Sequence, residues 1–590
     1  MSGLPEGWER TSGCGQLNAE HEQKQVSLMG WVQRRRDHGG VIFIDLRDRS
    51  GLIQVVFNPE IDSSSFQKAD QLRAEFVIAV RGTVRKRPEG NINPDLETGE
   101  IEIKASELEI LNSAETPPIE IKDSIEVGED LRLKYRYLDL RRPDMQNIMK
   151  LRHRVNKVTR DFLTEQGFLE IETPILTRST PEGARDFLVP SRINQGDFYA
   201  LPQSPQIFKQ ILMVGGLERY FQISRCFRDE DLRANRQLEF TQIDMEMSFV
   251  NRKDIFSVSR ELVSRIFALN DIDVPDKIDV MSYDQAISEY GSDKPDLRFE
   301  MKLEDISEIV EESEFNVFRS VIENGGQVKG INFKEGVSVS RSKIDEYTEY
   351  VKDFGAKGLA WIGFRSEGIN SPISKFLSET EMEKIKERMN VETGDLLLFV
   401  ADNSRVVAAA LGNLRLKIAR ENDLIPEDDN RFAWIVDFPL LEYDEKRKRY
   451  IPMHHPFTSP VAEDIPLLED NPEEVRANAY DLVLNGEELG GGSIRINDKE
   501  LQQKVFAGLG IDIQEAEEKF GFLLESFDYG APPHGGIAFG LDRIIMILAG
   551  TDSIRDVIAF PKTQRGTCLL TDAPAKVATE QLDDLGIKLK

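Results

Sequence analysis

The chain has 590 residues, 40% hydrophobic and 30% charged, with a formal net charge of −29 at pH 7. That length calls for several domains, each with its own core, and so acidic a balance argues against indiscriminate polyanion binding and against DNA as a partner. No run of about 18 apolar residues occurs that could span a membrane. The first residues lack the basic front and apolar run of a signal peptide, and Cys14, Cys226 and Cys568 stand too far apart for metal-ligand spacing. A cytoplasmic protein without disulfides or structural zinc is expected.

In chain order, five strand-like runs come first: 26–32, 41–46, 52–57, 76–84 and 100–111. Turn signals such as Asp37-His38-Gly39-Gly40 and Arg49-Ser50-Gly51 separate most of them. Five short strands in 1–112 predict a closed barrel of the oligonucleotide-binding (OB) kind, which stacks bases on aromatics in a basic groove. Arg34, Arg35, Arg36, Phe43 and Gln54 fit that recipe; they fit a charged loop, a core aromatic and an exposed glutamine equally well. A linker is expected over 113–125. An amphipathic helix follows over 147–166, with Ile148, Leu151, Val155, Val158 and Phe162 on one stripe and Gly167 as its stop.

Gly167 to Pro174 reads as a short strand ending in proline. From Tyr220 to Arg228 apolar and polar residues alternate, and after a charged loop Ile243 and Met245 point one way while Gln242, Asp244 and Glu246 point the other. The product is an antiparallel hairpin with one apolar and one polar face. In isolation a polar face is usually solvated; the alternative is the floor of a site for something anionic and something aminated.

Three stretches resemble the signature motifs of class II aminoacyl-tRNA synthetases: Gly167–Pro174, the hairpin with Phe227-Arg-Asp-Glu230, and Gly535-Gly-Ile-Ala-Phe-Gly-Leu-Asp-Arg543. An N-terminal OB barrel is similar to subclass IIb. Gln203-Ser-Pro-Gln206, His454-His-Pro-Phe457 and Glu488-Leu-Gly-Gly-Gly-Ser493 resemble the bacterial-type aspartyl enzymes. The resemblance implies a multidomain α/β and β architecture: an anticodon-binding barrel, then a catalytic domain built on an antiparallel sheet over 126–290 and 416–565. An α+β domain would be inserted over 291–415, and a C-terminal extension would cover 566–590. It also implies a homodimer with Pro174 at the interface.

The reaction so implied joins L-aspartate to tRNA through an aspartyl-adenylate, with ATP as substrate and Mg²⁺ as cofactor. Neither step needs a protein nucleophile, so positioning and charge stabilisation should dominate. There is also no Gly-x-x-x-x-Gly-Lys-Ser/Thr loop to hold ATP. By resemblance Arg228 contacts the α-phosphate and Arg543 the γ-phosphate, tasks that suit a permanently charged, bidentate guanidinium. Asp481 and Glu488 correspond to the Mg²⁺ ligands. Phe227, Asp229, Glu230, Gln237, Gly540, Leu541 and Asp542 complete the expected ATP pocket, and Gly490-Gly-Gly492 is expected to let the backbone approach the nucleotide.

For the amino acid, Lys209 and Arg495 match the cations that hold the side-chain carboxylate, with His454 nearby. Glu182, Gln206 and Asp244 match the receivers of the ammonium. Asparagine would leave two buried cations without a counter-charge, a mismatch that can be worth roughly 10⁴-fold in discrimination. In the barrel the resemblance makes Phe43 a stacking platform for the central anticodon base and Gln54 its reader, with Arg36 and Glu102 as partners. His38, with Gly90 in a second loop, is similar to the type that charges both tRNA-Asp and tRNA-Asn. The alternatives are an asparaginyl- or lysyl-tRNA synthetase, or a non-catalytic synthetase-like RNA-binding protein.

Overall fold

A computed structural model describes residues 4–180, 184–230 and 235–589. The chain forms two compact units, Met1–Arg152 with Arg555–Lys576, and His153–Ile554 with Val577–Lys590.

In the first unit β1 (Gln25–His38), β2 (Val41–Asp48), β3 (Gly51–Phe57), β4 (Val77–Lys86) and β5 (Ile101–Asn112) close into a barrel in the order β1-β2-β3-β5-β4. Its core is branched and aliphatic: Leu28, Val32, Ile42, Ile44, Ile53, Val55, Ile78, Val80 and Ile103 are all buried, as β-branched side chains pack well on a pleated surface. Strand β1 is longer than the sequence pattern indicated. It runs on through Arg34-Arg35-Arg36 to His38, with its register shifting between Val32 and Arg34. The three arginines therefore lie on a strand and not in a loop. Gly39 and Gly40, both at positive φ, make the two-residue turn into β2.

The helix after the linker starts before the predicted point, at Pro143, and ends at Glu165. Its stripe buries Ile148, Leu151, Val155 and Phe162. Gly167 (φ +79°) follows in the left-handed conformation that glycine adopts without strain. Only Leu169–Glu170 of the expected strand pairs, as β6, parallel to β9 (Arg219–Phe227). Between them a ribbon of β7 (Leu188–Pro190) and β8 (Phe198–Ala200) is joined to Thr177 through Ala200.

The second unit is built on an eight-stranded sheet. Beside β9 lies β10 (Glu239–Ser248), the second arm of the predicted hairpin, paired Ile243↔Ile223 and Asp244↔Gln222. Strand β11 (Asp279–Ser282) forms the far edge.

The chain then leaves this sheet and builds a separate one from β12 (Glu304–Asp305), β13 (Gln327–Phe333), β14 (Ala360–Arg365), β15 (Gly368–Asn370) and β16 (Leu396–Asp402), in the order β12-β13-β16-β14-β15. A helix, Ser404–Glu421, returns it. At the root of this inserted α+β module Gly291 and Gly412 nearly touch. A Cβ on Gly291 would stand 2.3 Å from the Ala408 carbonyl oxygen, so no other residue fits. The buried Arg415 guanidinium donates to the carbonyls of Asp296, Phe299 and Met301 and faces the Phe299 ring.

The main sheet resumes with β17 (Phe432–Val436). A small hairpin of β18 (Leu441–Asp444) and β19 (Arg449–Pro452) follows, then β20 (Ala479–Leu484), β21 (Glu487–Ile494) and β22 (His534–Gly540). The complete order is β11-β17-β20-β21-β22-β10-β9-β6, antiparallel except for the parallel pairs at its two edges. None of the described helices is long and apolar enough to cross a membrane.

Candidate active site and nucleic-acid face

The polar face of the β9–β10 hairpin is not solvated. Its residues Ser224, Gln222, Asp244 and Glu246 are buried, the last two completely. The helix Gln206–Val214 lays Lys209 over this floor, and Arg495 follows directly on the end of β21. Lys209 Nζ sits 2.5 Å from Asp244 Oδ1 and 3.3 Å from Glu246 Oε2. Arg495 donates through Nε and its terminal nitrogen to both oxygens of Glu246, at 2.9 and 3.1 Å. Two cations and two carboxylates thus neutralise one another out of reach of water, as buried charges must. Lys209, 2% exposed, is not a surface helix lysine.

Glu246 is held firmly in its ionised form. Burial opposes its charge, but Arg495 and Lys209 prevail and bring its pKa down to about 2. Burial dominates at Asp244, whose pKa rises despite Lys209. His455 accepts from Arg495 at 2.6 Å through Nε2, and burial followed by the charge of Arg495 holds it neutral. Burial also lowers His454, but Asp481, 3.4 Å away, more than restores its proton affinity.

From the sequence Glu246 was only one residue of the polar face and His455 only half of a histidine pair; neither was given a role at the substrate. Glu246 braces Arg495 from 249 positions away, a pairing that no local pattern encodes. It also accounts for Gly536, where a Cβ would stand 2.1 Å from Glu246 Oε2 and from the Met245 carbonyl oxygen.

Two adjoining clefts open above this floor. One, of about 990 Å³, is lined by Gln206, Lys209, Arg228, Asp244, His454, Asp481, Glu488 and Arg495 among others, so it gathers nearly all the residues expected around the amino acid. Asp293, from the root of the inserted module, lines it as well. Glu182 lies outside the described residues. Gln203 fixes the loop beside it, exchanging hydrogen bonds with both backbone groups of Ala184 and donating to Asp186.

The second cleft, of about 840 Å³, is lined by Arg228, Glu230, Gln237, Phe240, Glu488, Gly540, Asp542 and Arg543 among others. Asp229, Leu541 and Phe227 do not line it. Leu541 is completely buried, and the alternation of β9 turns Phe227 to the side opposite Arg228. The aromatic surface comes instead from Phe240, with the Arg228 guanidinium 5.1 Å above its ring. Arg543 donates to the Glu488 carbonyl at 2.6 Å, and the Asp542 carboxylate accepts from the backbone N–H of Thr241. Asp542 therefore ties the helix Leu541–Ala549 to the hairpin.

Asp481 and Glu488 face each other across Gly491, where a Cβ would stand 2.4 Å from Asp481 Oδ1 and 3.5 Å from Glu488 Oε1. Burial and then the Asp481 charge raise the Glu488 pKa, so the pair would gain from a cation between its oxygens. Two hard carboxylate donors suit Mg²⁺ that keeps water and phosphate in its remaining positions. Among the described residues no larger His/Cys/Asp/Glu group gathers for a metal. Protein neighbours already require the three glycines. Added Cβ atoms would strike the Phe539 ring and the Ala538 carbonyl from Gly490, the Asp481 carboxylate from Gly491, and the Gly536 carbonyl from Gly492.

In the barrel the side chains expected at an anticodon form one chain of polar contacts. Arg36 reaches Asp45 at 2.5 Å and Gln54 at 3.2 Å; Gln54 donates to Glu102 at 2.7 Å; Glu102 also holds Arg85. Arg34, Arg36, Gln54 and Arg87 line an open groove, while Arg35 pairs away from it with Asp70. Phe43 is half-buried opposite Arg36, and the His38 ring stands edge-on to it, centroids 6.2 Å apart. Gly90, at positive φ, has open space around it.

Residues 26–111 match the OB-fold nucleic acid binding domain, and residues 128–564 match the tRNA synthetases of class II (D, K and N). A relative from Halothermothrix orenii named aspartate–tRNA(Asp/Asn) ligase is 66% identical over 583 residues, 99% of each chain. One of the same name from Thermoanaerobacter pseudethanolicus is 57% identical over 584 residues, again 99% of each. Among solved structures, Pyrococcus horikoshii asparaginyl-tRNA synthetase complexed with asparaginyl-adenylate has the same fold, with a TM-score of 0.60 at 20% identity over 94% of this chain and 98% of that one. Barrel, sheet and matches agree: the chain belongs to the class II tRNA synthetases of the aspartyl, lysyl and asparaginyl group.

Proposed function

We propose that the chain is an aspartate–tRNA ligase that charges both tRNA-Asp and tRNA-Asn. The observation that carries the amino-acid choice is the buried quartet. Lys209 and Arg495, both almost fully buried, line the cleft as two cations. When aspartate enters, its side-chain carboxylate takes hydrogen bonds from both. Asp244, relieved of Lys209, is then free beside Gln206 to receive the α-ammonium, and Glu182 belongs to the same set. Asparagine would offer a neutral amide where charge is required, and lysine a repelled cation.

In the first step an oxygen of the substrate α-carboxylate attacks the α-phosphorus of ATP, and the bond to the β-phosphate oxygen breaks to release pyrophosphate. Arg228, which lines both clefts, stands where the two substrates meet and stabilises charge on the α-phosphate oxygens. Phe240 offers its face to the purine and Arg543 its guanidinium to the terminal phosphate. Asp481 and Glu488 would hold Mg²⁺, which neutralises phosphate charge when bound. In the second step a hydroxyl of the terminal tRNA ribose attacks the adenylate carbonyl carbon and AMP leaves.

The His38–Phe43 contact and the open Gly90 loop support a third anticodon position that accepts either pyrimidine. Around the first motif Leu169, Ile175, Leu176, Leu188 and Phe198 are all exposed beside Pro174, an apolar patch of the kind that marks a subunit interface and supports a homodimer. Aminoacylation of purified tRNA-Asp and tRNA-Asn side by side tests the dual reading. Comparable charging is expected, and a strong preference for tRNA-Asp would overturn the role given to His38.

A further inference from the structure

The β18–β19 hairpin carries Lys446-Arg447-Lys448-Arg449, four consecutive cations in a chain of net charge −29. All four are exposed. The turn is rigidly built: Asp444 accepts from the backbone N–H groups of Lys446 and Arg447, and its carbonyl accepts from Lys448 at 2.7 Å. Arg447 lies 3.6 Å from Asp444, but among the described residues Lys446, Lys448 and Arg449 enter no ion pair. Beyond their effect on Asp444, no ion pair among the described residues takes up the charge of Lys446, Lys448 or Arg449.

At the base of this hairpin lies a cleft separate from the two described above. It is lined by Tyr283, Arg405, Tyr443, Tyr450 and Met453 and also by two carboxylates, Glu442, which pairs with Arg405, and Glu473, which accepts from the Tyr450 hydroxyl. Tyr443 and Tyr450 stand edge-to-face, centroids 5.3 Å apart, and Tyr443 remains exposed. Met453 lines this cleft and the amino-acid cleft alike. Strand β19 leads from the basic turn straight into Met453-His454-His455, a path of about 13 Å for four residues. An exposed aromatic next to exposed cations is what a single nucleic-acid strand needs, bases on the rings and phosphates on the charges.

We propose that this hairpin and its aromatic cleft bind the single-stranded 3′ end of the tRNA, with Lys446, Arg447 and Lys448 on its phosphates and Tyr443 under a base. The proposal rests on the ligase reading above. It adds a contact that the anticodon barrel does not supply, and it places that contact one strand away from the residues that hold the aminoacyl group.

The test is the triple variant Lys446→Gln, Arg447→Gln, Lys448→Gln, which removes charge and keeps side-chain length. Aspartate-dependent ATP–pyrophosphate exchange needs no tRNA and should be unchanged, which separates this proposal from the ligase reading itself. The KM for tRNA should rise about tenfold or more, and the log–log dependence of tRNA affinity on salt should flatten by about 2, near one phosphate per cation lost. Tyr443→Leu should weaken tRNA binding with little change in that salt slope. Unchanged KM for tRNA and unchanged salt slope in the triple variant would overturn the proposal. If exchange also falls, filter binding of tRNA to Lys448→Gln alone across a salt series decides: a flatter slope supports the contact and a wild-type slope refutes it.

Discussion

Glu246→Gln removes one charge from the quartet without changing its shape. Glu246 receives both guanidinium hydrogen bonds of Arg495 and lies 3.3 Å from Lys209, with no exposed surface. Removing one partner of a buried pair typically costs about 3–5 kcal/mol, because the remaining charge is left uncompensated. That cost falls on the free enzyme. In the complex the aspartate side chain supplies the missing negative charge, so part of the loss should return as binding energy. If about 1.4–2.7 kcal/mol returns, aspartate binds roughly 10- to 100-fold more tightly than to the parent chain. Ligand at 100 times its Kd already stabilises a protein by about 2.7 kcal/mol, so the comparison is made at a fixed aspartate concentration. Thermal unfolding should show a lower midpoint for the free variant and a larger upward shift with aspartate than the parent shows, with no such gain from asparagine. Equal aspartate shifts in both proteins, or a free variant as stable as the parent, would refute the reasoning.

Other consequences are simpler to measure. Asp481→Asn should raise the Mg²⁺ concentration for half-maximal pyrophosphate exchange by about tenfold or more, since half of the anionic pair is gone, and an unshifted Mg²⁺ dependence would remove Asp481 from the metal site. Buried His534 and His455 have lowered pKa values, burial being the main cause, so below about 6.5 they take up protons only on unfolding and stability falls with pH; His454, raised, opposes them with the opposite sign. His534→Gln should therefore flatten the acid side of the stability curve by up to about 1.4 kcal/mol per pH unit, and an NMR titration of His534 near 6.5 in the folded enzyme would contradict this. Phe43→Ala should cost about 1–3 kcal/mol of tRNA binding while leaving pyrophosphate exchange untouched, and a loss of exchange would place Phe43 in the fold instead.

Much of this architecture was legible because it is written in short periods. The alternation along 220–228 and 242–246 announced a hairpin with a polar face, and most of the five runs of the barrel were separable by their turns. What was not legible depends on distance or on context. Arg34-Arg35-Arg36 breaks the apolar alternation, so β1 seemed to end before it; the strand continues because β2 pairs with it through His38. Phe227 and Phe240 carry the same side chain on facing strands, and only the register shows which one meets the cleft. Glu246 was visible as one polar residue among several, but its partner Arg495 lies 249 positions away, just past the end of another strand. Asp293 belongs to a segment that the sequence could describe only as the beginning of an insertion. The glycines of Gly490–Gly492 were noticed for close approach by a ligand; the sequence could not show that the neighbouring strands and Asp481 also crowd them.

The central claim is that two buried cations, Lys209 and Arg495, select a substrate whose side chain carries a negative charge. ATP–pyrophosphate exchange, measured without tRNA and with aspartate, asparagine and lysine offered separately, tests it most directly. Strong exchange is expected with aspartate, a kcat/KM lower by roughly 10⁴-fold with asparagine, and none with lysine. Exchange driven by asparagine or lysine at a rate comparable to aspartate would contradict it.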